Sequence, residues 1–115
     1  MPVVTFDFDG VLQSGSPFVP MDVMEPRAEM HEAVRREAQC NTVVIVTGRS
    51  ELSLADIQQF VDIHQLPISK IVTTAGDSKV PALRRLGSIR HYDDDEDVRV
   101  ELGNDPVEFV LVEPK

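Results

Sequence analysis

The chain has 115 residues, enough for one domain (1–115) whose single core buries about two-thirds of the surface its unfolded form exposes, and too few for two cores. Its 20 acidic residues against 11 basic ones leave a formal net charge of −9, which disfavours broad attraction to nucleic acid or an anionic membrane, so any basic groove has to be local. The lone Cys40 excludes an intrachain disulfide and reads as a small core residue; with no leader-like N-terminus and no apolar run of membrane-spanning length, a cytoplasmic protein with no membrane partner is expected.

Val3, Val4 and Phe6 predict a buried strand, because the run is short, β-branched or aromatic, and ends in the turn chemistry of Asp9-Gly10. Asp7 and Asp9 then fall at its carboxyl end and share one small opening, a crowding of carboxylates that favours a hard cation such as Mg²⁺. Gln13 to Glu25, with Gly15, Pro17 and Pro20, predicts a loop or flap beside them. Pro26 is placed to open a helix whose inward positions Ala28, Met30, Ala33, Val34 and Ala38 carry it to about Gln39. Val43–Val46 predicts a second buried strand, followed at once by Thr47-Gly48-Arg49. Ser50 or Ser53 caps the next helix, with Leu54, Ile57, Phe60, Val61 and His64 facing inward. Ile68–Thr73 is a third strand, Ala75-Gly76-Asp77 a turn, and Lys79–Leu86 a short helix ended by Gly87 in left-handed conformation. Ile89–Tyr92 is a fourth strand leading into the acidic run Asp93–Asp97; a short helix to about Leu102, a turn and the strand Val107–Val112 complete the chain.

Strands and helices alternate throughout, with no repeat or low-complexity tract, which predicts a three-layer α/β domain around a mainly parallel sheet of about five strands. Ligands of such sheets bind beyond the carboxyl ends of the strands. Asp7 and Asp9 follow the first strand, Thr47 the second, and Asp93 and Asp94 the fourth, so the polar signals coincide with those places. Two carboxylate pairs, a hydroxyl and a lysine supply a nucleophile, a proton carrier, phosphate binders and a metal site. Asp7 can attack phosphorus while a divalent cation, Lys79 and donors from Thr47 neutralise the phosphoryl oxygens, and Asp9 can move the proton.

These residues resemble the haloacid dehalogenase superfamily of aspartate-dependent phosphatases. The first motif of that family is matched by Asp7-Phe8-Asp9-Gly10-Val11-Leu12 and the second by Val43 to Thr47-Gly48-Arg49. Lys79 matches the third, with Lys70 as the other candidate, and Ile89 to Asp94 matches the fourth. The resemblance implies a Rossmann-like fold and a Mg²⁺-dependent phosphomonoester hydrolase that works through an aspartyl-phosphate. In it Asp7 is the nucleophile and Asp9 the acid/base, while Thr47 and Lys79 bind phosphate beside Gly10, Gly48 and Arg49. The metal ligands are Asp7, the Asp9 backbone carbonyl and Asp93 with Asp94, or alternatively Asp97. The intervals where the family inserts a cap are filled by the elements already assigned. The resemblance therefore implies a capless member with an open site, suited to a phosphorylated small molecule or a nucleic-acid end, or closed by another copy of the chain. Within the capless members, the Tyr92-Asp93-Asp94 ending, the short helix after it and the final strand are similar to the phosphatase domain of polynucleotide kinase phosphatases, which implies a nucleotide or polynucleotide 3′-phosphate as substrate.

Plainer readings stand beside these. Arg49 can form a surface ion pair instead of touching phosphate, and Asp93–Asp97 can be a solvated loop. His31, His64 and His91 have no metal-ligand spacing, and Tyr92 and Phe18 can line the opening or pack in the core. The competing function from another class is a non-catalytic binding or regulatory module that keeps the fold and the metal site.

Overall fold

The structure is a computed structural model and describes residues 1–15 and 24–114. Five short strands, β1 (Val3–Phe6), β2 (Thr42–Thr47), β3 (Lys70–Thr73), β4 (Ser88–Asp93) and β5 (Glu108–Leu111), form one sheet in the order β3-β2-β1-β4-β5. Every neighbouring pair is parallel. The helices α1 (Ala28–Ala38), α2 (Leu54–Ile63), α3 (Val80–Leu86) and α4 (Glu96–Leu102) connect them. A 3₁₀ turn, Glu51–Ser53, precedes α2.

The strands read as near-continuous apolar runs because helices cover both faces. On one face Val4 and Phe6 of β1 and Val43 and Ile45 of β2 pack with Met30, Ala33 and Val34 of α1 and Ile57, Phe60 and Val61 of α2. On the other, Val44 and Val46 pack with Val80 and Leu83 of α3 and Val98 and Leu102 of α4. The alternation of strand side chains thus assigns the layers, giving the three-layer, Rossmann-like architecture that the sequence predicts. The chain runs outward from β1 to β3 on one side and resumes at β4 on the other, so the strand order reverses between β1 and β4. A crevice opens there at the carboxyl ends.

Cross-strand pairs hold the two strands at that reversal together. Phe6 and Tyr92 are in register and their rings stack with centroids 4.2 Å apart and planes 2° from parallel. Tyr92 is therefore part of the packing rather than a wall of the opening. Its hydroxyl donates to Glu37 Oε2 at 2.6 Å, and Arg90 donates from Nε and Nη2 to the same carboxylate at 2.7 and 2.8 Å. This buried fork ties α1 to β4. The Arg90 bonds, working against burial, hold the Glu37 carboxyl below its usual range.

Several local expectations change. Pro26 does not open α1. The Ser14 N–H donates to Glu25 O and the Arg27 N–H to Leu12 O, so this stretch is extended chain paired with residues 12–14, and the helix starts at Ala28. That non-local pairing outweighs the first-turn preference of proline. Cys40 is exposed, because it lies beyond the Gln39 cap and past the last inward position of α1. Ser50, and not Ser53, caps the turn before α2, accepting from the Leu52 N–H. Gly87 ends α3 at φ 68°, as its position after the last apolar residue predicts. The predicted strands are displaced by one or two residues at their ends. Pro17, Phe18 and Pro20 of the predicted flap lie outside the described residues.

Truncating Glu37 tests the fork. Glu37→Ala leaves Arg90 and Tyr92 without their acceptor and is expected to lower stability by about 2 kcal/mol in chemical denaturation. Because the folded-state pKa of Glu37 is depressed, its contribution is present above the ordinary glutamate range and is lost as the pH falls through the folded value. Glu37→Gln should therefore show a flatter acid limb of stability against pH than the wild type.

Candidate active site

Asp7 leaves the end of β1 and its amide donates to Tyr92 O at 2.9 Å, which sets it on the β1–β4 crevice. Phe8, fully buried, turns the other way and packs edge-on against Phe60 with centroids 5.2 Å apart, so Asp7 and Asp9 both face a cleft of about 990 Å³. Lys79, the N-cap residue of α3, reaches back into that cleft. Its Nζ lies 2.9 Å from Asp7 Oδ1 and 2.8 Å from Asp93 Oδ2. Lys70 opens β3, at the amino end of the strand whose carboxyl end leads to Lys79, and its register partner is Val44 rather than Thr47.

Three carboxylates, Asp7, Asp93 and Asp94, bring ligand atoms within 4.8 Å of one another. Against the single Lys79 ammonium they leave 3 − 1 = 2 negative charges when all are ionised. Burial pushes the Asp7 carboxyl well up, with Lys79 opposing and Asp93 adding to the rise, and burial together with Asp93 also raises Asp94. Burial works the same way on Asp93 but is outweighed by the His91 hydrogen bond and the Lys79 charge, so its carboxyl is held far below the usual range. Lys79 is itself held protonated: its burial is overcome by the two carboxylates it touches. An all-oxygen donor set with two uncompensated charges fits a hard divalent cation such as Mg²⁺.

The two acids of the fourth strand differ. Asp93 is fully buried with every oxygen engaged: Oδ2 by Lys79 and His91, Oδ1 by the Asp95 N–H at 3.0 Å. Asp94 is exposed to the cleft and lies against Gly10, where a Cβ would collide with its carboxylate. Asp97 belongs to neither group. Asp95 caps α4 by accepting from the Asp97 N–H, and Glu96 and Asp97 fill the first turn, where negative charge complements the helix dipole. The acidic run is thus two acids at the cleft followed by a helix start.

Asp9 is held by Arg49, whose Nε and Nη2 donate to its two oxygens at 2.8 and 2.7 Å, and by the Gln13 amide at 2.7 Å. The hydrogen bonds to Asp9 raise the Arg49 pKa further, and its guanidinium stands 5.4 Å over the Phe8 ring. Gly48 and Arg49 line the cleft, while Thr47 sits behind them, buried, its hydroxyl accepting from the Arg49 N–H at 3.2 Å. The structure therefore brings Asp7, Asp9, Gly10, Gly48, Arg49, Lys79, Asp93 and Asp94 together around one opening, and sets Thr47 just beneath it.

Two participants have no role in the sequence motifs. His91 lacks metal-ligand spacing, yet His91-x-Asp93 on a strand puts both side chains on one face, a period-two signal that is readable in the chain. Gln13, fully buried, reaches Asp9 and the backbone of Gly15, and no pattern announces it.

No protein-family model matches the chain, and no curated protein matches it. Among solved structures, a chain of the Pnkp1/Rnl/Hen1 RNA repair complex is similar with a TM-score of 0.80 at 14% identity, over 97% of this chain and 42% of that one. A second structure of that complex gives 0.79 at 14% identity, over 98% of this chain and 46% of the other. A structural-genomics target from Vibrio cholerae gives 0.54 at 24% identity, over 64% and 69%. These likenesses show the fold. The chain spans less than half the length of the RNA repair complex chains it matches.

Gly10, at φ 79°, lines the cleft against Asp94. Gly10→Ala is expected to cost about 1–3 kcal/mol in denaturation, because it places a side chain in left-handed conformation against Asp94. Since Asp94 has to move, a divalent cation held by Asp7, Asp93 and Asp94 should bind more weakly to the variant in titration calorimetry.

Proposed function

We propose that the chain is a Mg²⁺-dependent phosphatase that hydrolyses a phosphomonoester through an aspartyl-phosphate on Asp7. One observation carries the reading: the Lys79 ammonium bridges Asp7 and Asp93 at the crevice between β1 and β4, with Asp94 beside it and the Asp9–Arg49 pair across the opening. Asp7 and Asp94, with the Asp9 backbone carbonyl, would hold the cation, which supplies neutralisation of the phosphoryl oxygens when bound.

Asp7 attacks phosphorus and the bond to the leaving oxygen breaks, that oxygen taking a proton from Asp9. Water then attacks the aspartyl-phosphate, Asp9 accepts its proton, and inorganic phosphate leaves with the Asp7 carboxylate restored. Lys79 neutralises the charge that builds on the phosphoryl oxygens and the Gly48 backbone, which lines the cleft, offers them a donor, while the Thr47 hydroxyl behind it holds the Arg49 amide. Arg49, which grips Asp9 in the resting arrangement, trades that carboxylate for substrate oxygens, and Asp9, so released, takes up from solvent the proton that it then gives to the leaving oxygen. Asp93 keeps Lys79 aimed at the reaction centre.

The leaving group has two candidate classes. A phosphorylated small molecule such as a nucleotide suits a cleft whose cations, Arg49 and Lys79, cover one phosphate. A polynucleotide 3′-phosphate is favoured by the open cleft and by the likeness to a chain of an RNA repair complex. A second copy closing the cleft is compatible with either.

The deciding experiment is turnover of an aryl phosphate, a panel of nucleotides and a 3′-phosphorylated oligonucleotide, each with and without Mg²⁺. Chelation and Asp7→Asn should each abolish activity, and Lys79→Met should lower kcat by at least about 100-fold. Activity that survives Asp7→Asn sinks the mechanism. No turnover on any ester, with specific capture of a partner, supports a non-catalytic module instead. Equal rates on oligonucleotide and free nucleotides at fixed salt speak against the polynucleotide reading.

A further inference from the structure

His91 is completely buried in β4 and has no part in the bond-making steps. Its face of the sheet is otherwise the apolar layer of Val44, Val46 and Leu83, where an imidazole without partners would be costly. It has a partner at each nitrogen. Nε2 lies 2.8 Å from Asp93 Oδ2, and Nδ1 lies 2.8 Å from the hydroxyl of Thr5, its register partner on β1. The Thr5 hydroxyl is in turn 2.8 Å from Ser88 Oγ.

These partners set the direction of donation. An ionised carboxylate only accepts, so the ring proton on Nε2 points at Asp93. Nδ1 faces the Thr5 hydroxyl, which also lies 3.3 Å from Arg90 O, while Ser88 Oγ donates to Arg90 O at 3.0 Å. The Thr5–His91 pair thus leads to Asp93 Oδ2, the same oxygen that Lys79 holds. Asp93 cannot rotate without breaking either this bond or the one its Oδ1 accepts from the Asp95 amide. Lys79 in turn bridges from Asp93 to Asp7.

We infer that His91 is a positioning residue, which locks the Asp93 carboxylate in one orientation and through it keeps the Lys79 ammonium on Asp7. The inference rests on the phosphatase reading for its consequence in turnover, while the wiring itself can be read without turnover. Partners of this kind behind a charged site are worth about 10- to 100-fold in activity when removed.

The test compares His91→Leu, which keeps bulk and removes the donor, with His91→Gln, whose amide N–H reaches the place of Nε2. On an aryl phosphate at saturating Mg²⁺, His91→Leu is expected to lower kcat about 10- to 100-fold with KM within about threefold, and His91→Gln to recover most of the loss. Long-range ¹H–¹⁵N spectra of the wild type should show a proton on His91 Nε2, and the Lys79 Nζ resonance should shift in His91→Leu. Wild-type kcat in His91→Leu, equal losses in both variants, or an Nε2 without a proton would each overturn the inference. If His91→Leu does not fold, the Nε2 proton and His91→Gln decide it. A wild type inert toward every phosphoester overturns the phosphatase reading instead; an unmoved Lys79 resonance in His91→Leu then overturns the positioning role as well.

Discussion

The ammonium of Lys79, buried between the carboxylates of Asp7 and Asp93, is the interaction on which the site depends. Either acid alone in that crevice would carry an unpaired charge away from water, and the lysine alone would be driven to lose its proton. Together they are mutually stabilising, yet the count stays short by two charges once Asp94 is included. That imbalance makes the cluster a poor structural ion pair, and a divalent cation is complementary to the two negative charges it leaves uncompensated.

The rest of the fold serves to put these groups where they meet. At the reversal of strand order the chain leaves β1 and β4 toward opposite faces of the sheet, so that Asp7 and Asp93 face one opening, while the stacked Phe6–Tyr92 pair and the Glu37 fork hold the same two strands together on the α1 side. On the opposite face the Thr5–His91 pair continues the polar line to Asp93. One register between β1 and β4 thus fixes a packing contact on one face and a polar line on the other, and a slip of one residue would exchange them. The pair Asp9–Arg49 is a separate balance across the opening, reached from β2.

Much of this is legible in the chain itself, for identifiable reasons. Short β-branched runs ending in Asp7, Thr47 and Asp93 declare strands that deliver polar groups at their carboxyl ends. Gly87 after the last apolar residue of α3 marks a left-handed stop because it is a local preference. Pro26 and Cys40 depart from expectation because their outcome is set by distant partners. Pro26 is drawn into pairing with residues 12–14, and Cys40 falls just past a helix end whose position depends on packing. The acidic run is a mixed case. Its first two residues belong to the cleft, and the rest obey the ordinary rules of a helix start.

By itself the sequence determined the alternation of strands and helices, the layers their apolar faces demand and the strand ends at which acids, hydroxyl and lysine emerge, because periodicity and turn chemistry are properties of neighbouring residues. Only the tertiary structure decided which lysine meets Asp7, that Asp93 is saturated by its own donors while Asp94 faces the cleft, and that Arg49 rests on Asp9. Those are distances between groups far apart along the chain. They arise from strand order and register, which local preferences do not specify.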